Sequence, residues 1–187
     1  MNRTKRRIFE TSMELFAKKG YDATSIEEIT SVVGIAKGTL YYHFSSKEEI
    51  LDFLIVEGIK LLQHSIELKA RMANTFIDKL RAIILVEIKV VDKYENLITL
   101  IMNEYCGNSA RNEKCRQKVY LCIDSIENVL KESISKGELK ECDTRVFAFE
   151  IFGVLCSGIM LRYERNRKID IADIADKFTN NILNSMV

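Results

Sequence analysis

Apolar residues recur along this chain at steps of three and four, and almost nowhere in the alternation of a half-buried strand. Ile8, Phe9, Ser12, Met13 and Phe16 fall on one helical face, which predicts a first helix over about 5–19 with Gly20 as its stop. Ile26, Ile29 and Val33 share a face in a second helix that begins after Ser25. Ser25 with Glu28 has the capping-box spacing, and Thr24 with Glu27 has it one residue earlier. Gly34 ends that helix. Only Ile35 and Ala36 separate it from a short helix over 37–43. Ser46 with Glu49 then caps a long amphipathic helix reaching about residue 72. Further helices are predicted over 75–92, 94–106, 112–136, 143–166 and 170–185. The breaks fall at Gly137, at Cys142-Asp143-Thr144 and between Asn166 and Asp170. The chain has no proline and eight glycines, so little interrupts helices. The fold class is all-α.

Residues 25–47, SIEEITSVVGIAKGTLYYHFSSK, form the informative unit. A short helix, a glycine-containing turn and a second short helix make a helix-turn-helix, whose second helix enters the major groove of DNA. Leu40 and Phe44 are four apart and face inward. Lys37, Gly38, Thr39, Tyr41, Tyr42 and His43 therefore form a donor-rich outer surface. Lys37 stands at the N-terminal end of the helix, where a donor reaches guanine O6 and N7. Thr39, Tyr41, Tyr42 and His43 suit phosphate oxygens, and Tyr41 also suits a thymine methyl. Gly38 allows close approach of the backbone. Lys47 adds a cation at a helix N-terminus, and Thr24 and Ser25 offer hydroxyls and amides at another.

Overall charge adds little to this picture. The net charge is +1, but residues 1–9 carry Arg3, Lys5, Arg6 and Arg7 with no acid, a local basic arm suited to the backbone or minor groove. No apolar run follows the basic start within twenty residues, so no secretory leader is expected and the expected compartment is the cytoplasm. Val146–Leu161 is the most apolar stretch. It is sixteen residues long and contains Glu150, so a buried helix is expected there and no membrane partner. The five cysteines (106, 115, 122, 142 and 156) include no CxxC pair. His43 and His64 have no metal-ligand spacing. With no GxSxG, P-loop or His-carboxylate constellation, no enzyme, cofactor or metal is expected.

The segment Gly20-Tyr21-Asp22-Ala23-Thr24-Ser25-Ile26, with Ile29, Gly34, Lys37-Gly38-Thr39-Leu40-Tyr41-Tyr42-His43-Phe44 and Lys47-Glu48-Glu49-Ile50-Leu51, closely resembles the N-terminal signature of the TetR family of transcriptional regulators. It covers about 45 residues, a quarter of the chain. The resemblance implies a three-helix helix-turn-helix domain over 1–47 and a helical ligand-binding and dimerisation domain over 48–187. It implies a homodimer on a palindromic double-stranded operator, acting as a repressor that a small-molecule effector releases. Val146, Phe149, Phe152, Gly153, Cys156 and Met160 lie at three- and four-residue steps. Because the family dimerises through its last two long helices, Phe149, Phe152, Gly153, Cys156 and Met160 are the expected dimer seam. Tyr94, Met102, Tyr105 and Tyr120 with Glu104 are the expected effector contacts. Together with Phe76, Cys106, Cys122, Glu87 and Asp124 in the same helices, they suit an apolar or cationic effector.

Overall fold

A computed structural model describes residues 2–165 and 170–185. Among them the chain forms α1 (Arg3–Lys19), α2 (Ile26–Val33), α3 (Lys37–His43), α4 (Lys47–Arg71), α5 (Phe76–Lys93), α6 (Glu95–Tyr105), α7 (Ala110–Ser135), α8 (Thr144–Arg165) and α9 (Ile171–Ser185), with no strand among the described residues. The caps are those that the local sequence favours. The Ser25 hydroxyl accepts from the Glu28 amide at 3.1 Å and opens α2. Gly34 closes α2 in the left-handed region, at φ 73°, which a side-chain-bearing residue adopts only with strain. Ser46 accepts from the Glu49 amide at 3.1 Å, while the Glu49 carboxylate turns back to Ser45, to its amide at 2.6 Å and its hydroxyl at 2.5 Å. Thr75 and its partner Asp78 do the same service for α5.

The chain divides into two compact units that interleave along the sequence. The expected boundary at 47/48 falls in the first turn of α4; the compact units themselves are residues 1–58 with 96–118, and residues 59–95 with 119–187. The helices α4 and α7 each contribute to both.

The first unit is built around Ile8, Phe16, Ile29, Val33, Leu40 and Phe44, joined by Ile50, Leu51 and Leu54 of α4 and by Leu97, Ile98 and Ile101 of α6, all buried. The Phe9, Phe44 and Phe53 rings meet edge-on, 5.6–5.9 Å apart, and the Lys5 ammonium lies over Phe44 and Phe53. Gly58 lets α4 meet α6 closely, because a Cβ there would stand 2.9 Å from a Leu97 methyl.

In the second unit α5 packs against α8 and α9. Leu80, Ile83, Ile84, Ile88 and Val91 of α5 are buried with Ala148, Ile151 and Leu155 of α8 and Ile123, Ile126 and Leu130 of α7. The expectation that 146–161 forms a helix is met by α8. It is long and apolar enough to cross a membrane, with a mean hydropathy of 1.6 over 144–161, yet 39% of that stretch is already buried in the protein.

Candidate nucleic-acid interface

Hydrophobic anchoring fixes α3. Leu40 is fully buried and Phe44 is 1% exposed, so this seven-residue helix, too short to persist alone, is held by two side chains four positions apart. What those anchors leave outward is polar and aromatic. Lys37, Gly38, Thr39, Tyr41 and Tyr42 are exposed, Tyr42 at 85%, and His43 is half-buried with its ring 5.1 Å from that of Tyr42. A Cβ at Gly38 would meet nothing within 4 Å, so this position faces open space. The Lys37 ammonium pairs with the Glu27 carboxylate; both are well exposed, which makes the pair weak and exchangeable. Ser25 stands exposed at the start of α2.

Two residues expected at the DNA surface are employed differently. Thr24 is 1% exposed, and its hydroxyl donates to the Gly20 carbonyl at 2.9 Å, closing the α1–α2 connection from inside. Lys47 donates to the carbonyls of Tyr21 at 2.9 Å and Thr24 at 2.8 Å, and its ammonium lies 4.3 Å from the centroid of the Tyr21 ring. It therefore ties α4 to the same connection, a structural task that competes with phosphate contact. The basic residues of 1–9 likewise form no extended arm. Asn2 caps α1, Arg6 pairs with Glu10, and Arg7 donates to the Val33 carbonyl in the α2–α3 turn.

Sequence reasoning missed the other side of this connection. Arg111, at the start of α7, lies over the Tyr21 ring at 4.2 Å and donates to both Asp22 oxygens at 3.1 and 3.2 Å. Its Nε donates to Glu104 at 2.8 Å. Glu104 is 6% exposed and also accepts from Asn112 at 2.9 Å. Tyr21-Asp22 is thus clamped between Lys47 and Arg111. The Asp22 carboxyl is held below its ordinary range by the Arg111 hydrogen bonds. Gly107 makes room for this network, since a Cβ there would overlap the Asn112 amide at 2.4–2.7 Å.

The expected effector contacts are divided between the two compact units. Met102, Glu104 and Tyr105 belong to the first unit, Tyr94 and Tyr120 to the second. Glu104 is consumed by Arg111 and Asn112, and Tyr120 packs edge-on to Phe149 with Arg145 above both rings. A groove of about 460 Å³ in the second unit is lined by none of the five. Its cations Arg71, Lys79 and Lys136 each face an acid of the same groove, Glu67, Glu138 and Glu132, so it presents no net attraction for an anion. Of the expected seam, Met160 (72% exposed) and Phe149 (40%) lie outward with Val146, and a Cβ on Gly153 would meet nothing; Phe152, at 9%, belongs to the core. Burial pushes the thiols of Cys115 up to about 11 and Cys122 up to about 12, which leaves both as unreactive core residues.

A short helix presenting a row of donors, held by two buried anchors behind a left-handed glycine turn, defines a helix-turn-helix DNA-binding protein. Residues 8–53 match the family model for "Bacterial regulatory proteins, tetR family". Across 97% of this chain and 98% of the other, at 32% identity and a TM-score of 0.90, the structure matches a "Clostridium perfringens putative fatty acid metabolism regulator". The chain belongs to the TetR family. It is similar at 28% identity over 136 residues, 71% of this chain and 68% of the relative, to the negative transcriptional regulator IcaR of the Staphylococcus aureus biofilm operon icaADBC. Its fold matches that of the regulator FadR from Bacillus subtilis, solved in complex with stearoyl-CoA (TM-score 0.82, 23% identity, 94% of this chain and 95% of that one). The chain is a DNA-binding transcriptional regulator of that family.

Proposed function

We propose that this regulator is a repressor released from its operator by a small-molecule effector, that it acts in the cytoplasm as a homodimer on a palindromic operator, and that the effector is a fatty acyl-coenzyme A. The exposed row on α3, rigidly backed by Leu40 and Phe44, carries the DNA half of this reading. Lys37 reads a guanine edge, Gly38 lets the backbone close on the groove, and Ser25, Thr39, Tyr41, Tyr42 and His43 hold phosphates. The outward Val146, Phe149 and Met160 of α8 supply the apolar seam by which two copies present two such helices to successive turns of DNA. The effector class is supported by the kinship with the clostridial fatty acid metabolism regulator and by the acyl-CoA bound to the Bacillus subtilis fold relative. Because α4 passes through both compact units and Lys47 at its start grips the Tyr21–Thr24 connection, an effector that favours a different position of α4 shifts the operator-binding equilibrium.

The test is a mobility-shift titration on the DNA upstream of its own gene. Retardation at nanomolar protein that stearoyl-CoA reverses, and coenzyme A alone does not, is the expected result. Retardation insensitive to every acyl-CoA chain length would remove the effector assignment, and absence of any DNA binding would remove the whole reading.

A further inference from the structure

Glu87 lies on the buried face of α5, in helical register with Leu80, Ile83, Ile84 and Val91, all of which are core residues. It is fully buried, and neither of its carboxyl oxygens has a hydrogen-bond partner. It lies near enough to the thiol of Cys122 on α7 to perturb it, and that thiol donates to the Ile59 carbonyl of α4 at 3.7 Å. Residues of α4, α5 and α7 thus meet around a carboxyl that the fold does not use. Glu104 makes the contrast plain: it is nearly as buried, but Arg111 and Asn112 satisfy it. A leucine at 87 would fill the same core without two orphaned oxygens, so the group is retained at a cost to folding.

We propose that Glu87 is the polar contact of an acyl-thioester site inside the second unit, its carboxyl donating a hydrogen bond to the thioester carbonyl oxygen. This rests on the acyl-CoA reading above and adds to it the residue that recognises the head of the acyl chain. The chemistry favours a neutral acceptor. Burial without a counter-charge or hydrogen-bond partner favours the neutral Glu87 carboxyl, raising it well above its ordinary range, and the neutral form offers an O–H donor. A cationic ligand would instead require two charges to enter an apolar interior that supplies neither with a second partner. A carbonyl carried beside a long apolar chain satisfies the donor and leaves the surrounding Ile and Val side chains in apolar contact.

Direct binding of two probes separates the possibilities: stearoyl-CoA and S-octadecyl-CoA, a thioether of equal chain length that lacks the carbonyl. The wild type is expected to prefer the thioester by about tenfold, the worth of one well-made neutral hydrogen bond in a dry site. Glu87→Leu is expected to bind both probes with equal affinity, at the wild-type level for the thioether. Glu87→Gln, whose amide still donates, keeps a preference for the thioester. A melting temperature for Glu87→Leu at or above wild type shows that the variant is folded. Equal wild-type affinity for the two probes, or a preference that survives in Glu87→Leu, overturns the inference while the acyl-CoA reading stands. Equal loss of both probes in Glu87→Leu also overturns it, by marking a packing role. Failure of the wild type to bind either probe overturns the acyl-CoA reading together with this one.

Discussion

The guanidinium of Arg111 lies over the Tyr21 ring and donates to both oxygens of Asp22, 89 positions away in sequence, while its Nε reaches the buried Glu104. The consequence is unequal for the two acids. Asp22 is 82% exposed on its side chain, so Asp22→Asn is expected to change stability by less than about 1 kcal/mol. Whatever the pair contributes is present above the unfolded-state value of Asp22 and lost as pH falls through its depressed folded value. Arg111→Met strands Glu104 with only Asn112 and is expected to cost about 3 kcal/mol, seen as a fall of roughly 6–12 °C in melting temperature. Adding Glu104→Gln removes the stranded charge and is expected to return at least half of that loss. No recovery in the double variant would show that Arg111 acts through the Tyr21 ring and not through Glu104.

Lys47 and Tyr42 are expected to separate folding from binding. Tyr42 is the most exposed large side chain of α3, and Tyr42→Ala removes nothing from the core. Its melting temperature should match wild type, while affinity for operator falls about tenfold. Lys47→Met loses two hydrogen bonds to backbone carbonyls and the contact with Tyr21, about 1–3 kcal/mol together. It should melt lower and bind DNA less well in proportion. If Lys47→Met melts like wild type yet loses DNA, the lysine serves phosphate after all.

Lys37→Ala tests base reading against backbone contact. Its pair with Glu27 is exposed and exchangeable, so stability should be unchanged. Loss of a base contact should cost about 1–3 kcal/mol of operator affinity and relax preference at one position of each half-site, with the salt dependence of binding nearly unaltered. A uniform weakening across sequences, with the logarithmic salt slope lower by about one, would instead place Lys37 on a phosphate.

The helices were legible because their signals are local. The Ser25–Glu28 and Ser46–Glu49 spacings, Gly20 and Gly34, and the lack of proline bring the expected bounds within about two residues of those observed. The inward pair Leu40 and Phe44 was legible for the same reason, a four-residue step on one short helix. Thr24 and Lys47 were not, because a hydroxyl before a helix and a lysine in its first turn serve a phosphate or a neighbouring carbonyl equally well, and spacing does not distinguish the two. Arg111 was beyond reach, since its partners Tyr21 and Asp22 come from the other end of the first unit. Tyr94, Met102, Tyr105, Tyr120 and Glu104 were grouped by chemical type, and the interleaved chain path assigns Met102, Glu104 and Tyr105 to the first unit and Tyr94 and Tyr120 to the second. Glu87 did carry a signal: it is the one acid in the series 80, 83, 84, 87, 91 of an otherwise apolar helical face.

That acid makes a prediction about pH. In the folded protein burial raises the Glu87 carboxyl well above the ordinary glutamate range, whereas in the unfolded chain it releases its proton near the ordinary value of 4.5. Between those two values the folded state binds one proton more than the unfolded state, so stability falls as pH rises, by up to tenfold in the folding equilibrium constant per pH unit from this group. Denaturant melts at increasing pH above 5 are expected to show wild type losing stability relative to Glu87→Gln. A constant gap would mean that Glu87 is ionised or solvated in the fold.

The seam on α8 predicts the assembly. Met160 and Phe149 are exposed apolar residues on one helix, and the open space over Gly153 between them admits a second helix at short range. Phe152 is already committed to the core of its own chain, so the two kinds of residue should respond differently to substitution. Met160→Glu places a charge in the seam without touching the core. By sedimentation it is expected to convert a species of twice 21.6 kDa into one of 21.6 kDa, with helix content unchanged. Operator affinity should fall steeply in the same variant, because a single recognition helix no longer carries its partner to the second half-site, while weak salt-sensitive binding to non-specific DNA persists. Phe152→Ala should leave the mass at the dimer value and lower the melting temperature, as a cavity in the core does. A wild-type chain that sediments at 21.6 kDa at concentrations where it occupies its operator would refute the seam.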